Sequence, residues 1–221
     1  QGFQRSRAAQ SLRPQQTSPY ACPAAGTGAS GPGAGPGAEV EGGAGTMGAE
    51  IAQVITYAGL PVVLKDVNQE LVDGGIKKIR AIYQKRVDKG KMDASELERK
   101  MSLVSGSTTC EDFKDVDIVV EAVPEKMELK KKVFQELEPH VSENTIFATN
   151  TSALSISELG AATKRPEKVL GMHFFFPAHV MKLVEVIPGL ATASETIEDV
   201  VGFTEALRKI PVRVNECAGF L

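Results

Sequence analysis

The 221 residues include three cysteines, Cys22, Cys110 and Cys217, which stand far apart and never as a C-x-x-C pair. That scarcity excludes a zinc knuckle and leaves no disulfide framework, which points to a reducing compartment or an organelle matrix. Long apolar runs are missing too. None approaches the roughly 18–20 residues of a membrane span. There is no basic surplus: 25 Lys and Arg against 28 Asp and Glu give a formal charge of −3, which argues against neutralising a nucleic-acid backbone. The last absence is local. Residues 1–38 contain no Asp or Glu and are mostly Ala, Gly, Pro, Ser and Gln, so burial would not offset the entropy of ordering them. Arg5, Arg7 and Arg13 among serines fit an organelle transit segment; a flexible linker, or translated sequence that is not native, fits as well. The expected organisation is therefore a disordered leader over 1–38, with room for one domain after it.

From residue 39 onward, short β-branched runs alternate with longer segments of helical period, the pattern of a doubly wound α/β sheet. Strands are predicted over 61–66, 116–123, 145–150, 169–174, 183–187 and 211–214, with a short one over 101–105. Helices are predicted over 67–89, 125–138 and 195–209, the last introduced by Thr192 or Ser194 as cap. The expected fold class is α/β, a Rossmann-type, mostly parallel sheet.

Gly43-Ala44-Gly45-Thr46-Met47-Gly48 forms a G-x-G-x-x-G ahead of the apolar helical pattern Ile51, Val54, Ile55 and the strand PVVLKD. In a βαβ unit such glycines make the tight turn, admit a pyrophosphate to backbone N–H groups and let helix and strand pack closely. Gly43, Gly45, Thr46, Met47 and Gly48 are the candidate loop. Asp66 ends the next strand, where a carboxylate accepts from ribose hydroxyls and repels a 2′-phosphate, so NAD is expected over NADP. Residues 37–42 make a poor first strand, because Gly and Glu stand where a central parallel strand wants Val or Ile.

Behind the loop come VDIVVEAVPEKMELKKKVFQELE, TIFATNTSALSI, RPEKVLGMHFFFPAHVMKLVEVIPG and NECAGF, in that order. Together these strings resemble the L-3-hydroxyacyl-CoA dehydrogenase family, closest to the dehydrogenase part of multifunctional β-oxidation enzymes, over residues 42–221. The resemblance implies His173 as catalytic base, Glu185 as the carboxylate that orients it, and Ser152 as the hydroxyl that contacts the substrate oxygen and the cofactor. It places Glu125 and Lys130 beside the nicotinamide ribose and phosphates. The implied reaction oxidises (S)-3-hydroxyacyl-CoA to 3-oxoacyl-CoA with NAD. An imidazole near its ordinary pKa of about 6.5 suits removal of the hydroxyl proton.

The same resemblance implies further expectations. Residues 39–214 are the NAD-binding domain, and 215–221 begin a linker to a helical dimerisation domain that this sequence lacks. The partners implied are an acyl-CoA and, for the full-length form, a second copy or a multifunctional chain. The compartment is a mitochondrial matrix or peroxisome in a eukaryote and the cytoplasm otherwise. Phe176 stands where the family has Asn or Ser. His179 follows it in a turn, and Lys85, Arg86, Lys89 and Lys91 form a basic helical cluster, read either as a CoA phosphate site or as a solvated face. A non-catalytic dinucleotide-binding fragment is the alternative reading of the whole.

Overall fold

The computed structural model describes residues 20–23 and 44–217. Among the described residues, eight strands form one sheet: β1 (Tyr20–Pro23), β2 (Val62–Lys65), β3 (Val104–Ser107), β4 (Ile118–Glu121), β5 (Ile146–Thr149), β6 (Val169–Phe174), β7 (Leu183–Pro188) and β8 (Ile210–Arg213). Their spatial order is β3-β2-β1-β4-β5-β6-β7-β8, parallel throughout except where β6 meets β7. The expected Rossmann-type sheet is therefore present, and its strand order reverses between β1 and β4.

The structure departs from expectation at the sheet centre. Strand β1 lies inside the segment assigned by composition to a disordered leader, with Tyr20 opposite Val62 and Ala21 opposite Val119. The physical reason is satisfaction of the backbone: β2 and β4 each need a hydrogen-bonding neighbour on this side, and Tyr20-Ala21-Cys22 is a short strand-compatible run. Pro23, which has no N–H to donate, comes last. The weak first strand expected over 37–42, and Gly43, lie outside the described residues.

Six helices connect the strands among the described residues: α1 (Ala44–Tyr57), α2 (Gln69–Asp88), α3 (Ala94–Met101), α4 (Met127–Leu137), α5 (Ile156–Ala161) and α6 (Ser194–Ala206). Helix α2 starts where Asn68 Oδ1 accepts the Leu71 N–H at 2.9 Å, and ends with Lys85 and Arg86 at its negative pole. It buries Val72, Gly75, Ile79 and Tyr83. Helix α3 replaces the front of the strand expected over 101–105, because Asp93 caps a run of strong helix formers by accepting the Glu96 N–H at 2.7 Å. Helix α4 begins at Met127, two residues later than expected, so Glu125 precedes the helix. Neither proposed cap of α6 acts as one: Ala193 is the cap residue, Ser194 is already helical, and the Thr192 hydroxyl donates to Val169 O at 2.6 Å.

The sheet separates two apolar layers. Ile51, Ile55, Leu64, Ile79 and Val200 pack on one side, and Phe113, Val119, Phe134, Phe147 and Ile187 on the other. Beyond β8, Glu216 accepts from Ser155 Oγ at 2.6 Å and from Ser157 N–H at 3.0 Å, which folds the segment back on the start of α5.

Candidate functional site

Because β2, β4, β5 and β6 run parallel, their carboxyl ends share one edge of the sheet, the edge where open α/β sheets bind ligands. Asp66 follows β2, Glu121–Glu125 end and follow β4, Asn150–Ser152 follow β5, and His173 is the fifth residue of β6. The Phe174 N–H donates to Asn150 Oδ1 at 2.8 Å, which ties the end of β6 to the chain after β5.

His173 and Glu185 are direct cross-strand partners in the antiparallel β6–β7 pair. Residues so opposed have close Cβ atoms and side chains on one face. Here His173 Nδ1 lies 2.6 Å from Glu185 Oε2. The Glu185 side chain is only 2% exposed and that of His173 18%. A carboxylate only accepts, so Nδ1 carries the hydrogen and Nε2 is the basic nitrogen. The Phe175 ring packs against the imidazole, 4.7 Å between centroids.

Ser152 is exposed and faces Glu125: its N–H donates to Glu125 Oε1 at 2.9 Å and its hydroxyl lies 3.4 Å from the same oxygen. The Thr151 hydroxyl donates to that oxygen as well. Burial alone would raise the Glu125 pKa, but these donors and the Lys130 ammonium together hold it below the ordinary glutamate range. Lys130, expected beside a cofactor, is wholly buried and reaches this surface only through Glu125 Oε2, 3.4 Å away. Its ammonium also donates to both oxygens of buried Glu121 at 3.0 Å. Glu121, which reads in the sequence as one more strand residue, was not among the candidates.

At the glycine loop, α1 begins at Ala44, so Gly45, Thr46, Met47 and Gly48 form its first turn, whose backbone N–H groups suit a pyrophosphate. Lys78 of α2 donates to Thr46 Oγ1 at 3.2 Å, and a Cβ at Gly45 would stand 3.6 Å from that ammonium. Lys78 was also missed, since only the packing of α2 on α1 brings it there. Asp66 is 1% exposed, accepts the Val67 N–H at 2.7 Å, and is pushed by burial up to about 6. A carboxylate at a strand end and a helix N-terminus with an added cation fit a dinucleotide, one part at its ribose and the other at its phosphates.

The loop between β6 and β7 is anchored from two sides. Glu50 of α1 accepts the Ala178 N–H, and Lys209 Nζ donates to Met181 O at 2.7 Å. It presents Phe176, 67% exposed, three residues beyond His173. Beside it lies a cavity of about 570 Å³ lined by Lys85, Arg86, Lys89, Lys91, Lys182 and Arg208. His179 reaches the same cavity, with Nδ1 3.5 Å from Glu50 Oε2. His140 lies elsewhere, exposed in the turn after α4.

Residues 42–217 match the family described as 3-hydroxyacyl-CoA dehydrogenase, NAD binding domain. The glyoxysomal fatty acid beta-oxidation multifunctional protein MFP-a of Brassica napus is 40% identical over 178 residues, which cover 80% of this chain and 25% of that protein. A probable 3-hydroxybutyryl-CoA dehydrogenase of Bacillus subtilis is 43% identical over 179 residues, 81% of this chain and 62% of its own length. Among solved structures, the (S)-3-hydroxybutyryl-CoA dehydrogenase PaaH1 from Ralstonia eutropha superposes with a TM-score of 0.79 at 38% identity, over 81% of this chain and 63% of that one. The chain thus spans a quarter of the plant relative and under two thirds of the two bacterial ones. Among the described residues, no helix is long and apolar enough to cross a membrane.

Proposed function

Because the chain belongs to the 3-hydroxyacyl-CoA dehydrogenase family, whose NAD-binding domain it carries, we propose that it serves the oxidation of (S)-3-hydroxyacyl-CoA to 3-oxoacyl-CoA. NAD, when bound, supplies the hydride acceptor. His173 Nε2 takes the hydroxyl proton as the C3–H leaves as hydride. Glu185 fixes the tautomer from the other ring nitrogen and stabilises the imidazolium that results. Ser152 holds the reacting oxygen. Asp66 takes the adenosine ribose, Gly43, Gly45, Thr46, Met47 and Gly48 take the pyrophosphate, and Glu125 faces the nicotinamide end with Lys130 behind it.

The observation that carries this reading is the 2.6 Å His173–Glu185 contact, set by strand register at the cofactor edge of the sheet. The basic cavity beside His179 supports a CoA thioester, because its cations suit several phosphates. In a eukaryote, we infer a peroxisome-type setting, since the Brassica napus relative is named as glyoxysomal. A helical domain following 215–221 and a homodimeric or multifunctional full-length form belong to the same proposal.

The test is NADH oxidation with acetoacetyl-CoA, run beside a fluorescence titration with NADH. His173→Gln should lower turnover by roughly 10²–10⁴ while NADH still binds. Full activity in that variant would sink the assignment. Exposed Phe176 favours a second reading, a dinucleotide-binding module without turnover; NADH binding by the unmodified chain with no oxidation would select it.

A further inference from the structure

Lys130 and Glu121 form an ion pair in which both side chains are wholly buried. Such a pair stabilises a fold little better than two apolar side chains, because desolvation cancels most of its attraction. Its geometry is nonetheless complete. Glu121 Oε1 accepts from Lys130 Nζ and the Val123 N–H, and Oε2 accepts from Lys130 Nζ and from the Thr149 hydroxyl at 2.7 Å. Lys130 Nζ has a further contact at 3.4 Å, to Glu125 Oε2. The backbone joins in: Asn150 N–H donates to Glu121 O at 2.7 Å, two residues before Ser152.

We propose that Glu121 is a positioning residue for Ser152, acting through Lys130 and Glu125. With Glu121 and Glu125 ionised and Lys130 protonated, the three side chains carry one net negative charge. Glu121 is enclosed and saturated with donors, so the surplus sits on Glu125, at the surface. There it draws in the Thr151 hydroxyl and the Ser152 N–H. Of its two contacts with Ser152 the shorter is to the N–H, 2.9 Å against 3.4 Å for the hydroxyl, so Glu125 holds the residue by its backbone while the hydroxyl turns its hydrogen to the substrate oxygen, whose own proton goes to His173 Nε2. Glu121 touches neither substrate nor cofactor. Its contribution is to hold Lys130 back, so that Glu125 is steadied by the ammonium without being drawn off Ser152.

The proposal rests on the reading of Ser152 given above, and its test separates the two. In the full chain, the Glu125 carboxyl is titrated by ¹³C NMR, with the resonance assigned by its loss in Glu125→Gln. Glu121→Gln frees Lys130 to pair with Glu125, so the Glu125 midpoint moves down. The double change E121Q/K130M removes the cation without leaving a buried charge, so the midpoint moves up. Opposite movements are the signature of the relay. An unmoved midpoint, or movement in one direction in both variants, overturns it.

In the rate assay, Glu121→Gln lowers kcat roughly 10- to 100-fold, with KM for NADH changed less than about threefold. In a Ser152→Ala background the same change costs nothing more. A loss equal in both backgrounds shows a merely structural role and overturns the proposal. If the double variant does not fold, a downward shift in E121Q alone supports the relay and an unmoved one refutes it. If the unmodified chain shows no turnover, the catalytic reading fails on its own while the titration still decides the relay.

Discussion

In the function proposed above, Asp66 accepts hydrogen bonds from a ribose as a carboxylate, in a place that burial has made unfriendly to charge. Its folded pKa, about 6, lies above the ordinary 3.8, so the fold favours the protonated form. The stabilising contribution of that protonated form is complete below the ordinary value and is lost as pH rises through about 6. Cofactor binding has the opposite need. NADH affinity is expected to fall about tenfold per pH unit below pH 6, as seen in fluorescence titrations. Asp66→Asn should abolish that dependence, weaken binding at neutral pH, and raise the apo chain's unfolding free energy by roughly 1–2 kcal/mol.

Lys78 poses a complementary case at the proposed pyrophosphate site. An ammonium beside the positive pole of α1 is unfavourably placed unless an anion joins them. Lys78→Ala is therefore expected to weaken NADH binding about two- to fivefold with little change in stability. Asp66 was legible in the sequence as the acidic end of a strand behind a glycine loop, whereas His173 and Glu185 were singled out only through the family resemblance, and the structure places those two side chains in contact. Glu121 and Lys78 were not legible. Their roles arise where β4 meets α4 and α2 meets α1, and no spacing along the chain encodes those meetings.

Elements were legible where period and burial agree. The runs ending at Asp66 and at Phe174 contain β2 and β6, and the amphipathic stretch from 67 contains α2. Helix α5 has six residues, too few for a period to show. Helix α3 is mostly polar on its open side, so its apolar signal rests on Leu97 and Met101. Strand β1 hides in a composition that reads as low complexity, and only its partners on both sides give it meaning. The fit between elements depends on small residues as well: a Cβ on Gly75 of α2 would meet Leu64 Cδ2 of β2 at 2.6 Å. Leu64 is fully buried and has little room to turn aside. Gly75→Ala should cost roughly 1–3 kcal/mol, despite alanine's better helix propensity, and show as a lower denaturant midpoint with an unchanged m-value.

Across the whole molecule, one sheet carries two tasks at different positions along its width. The strands β1, β2, β4 and β5 frame the proposed cofactor region, and the antiparallel β6–β7 pair holds His173 against Glu185. On the proposed function, the fold should bind a dinucleotide with the His173–Glu185 pair disabled, whereas the pair would have no reaction to serve without the cofactor. A ligand that binds only the folded state stabilises it by about 2.7 kcal/mol at a hundredfold excess over its Kd. For a domain of this size that corresponds to a rise in Tm of roughly 5–10 °C. NADH should raise the Tm of the unmodified chain and of His173→Gln alike in a thermal-shift measurement at neutral pH. At the same NADH concentration, Asp66→Asn should lose most of the rise although its apo Tm is the higher. A rise that vanished in His173→Gln and survived in Asp66→Asn would mean that the cofactor is held by the β6–β7 end of the sheet, and the division of labour between the strands would have to be redrawn.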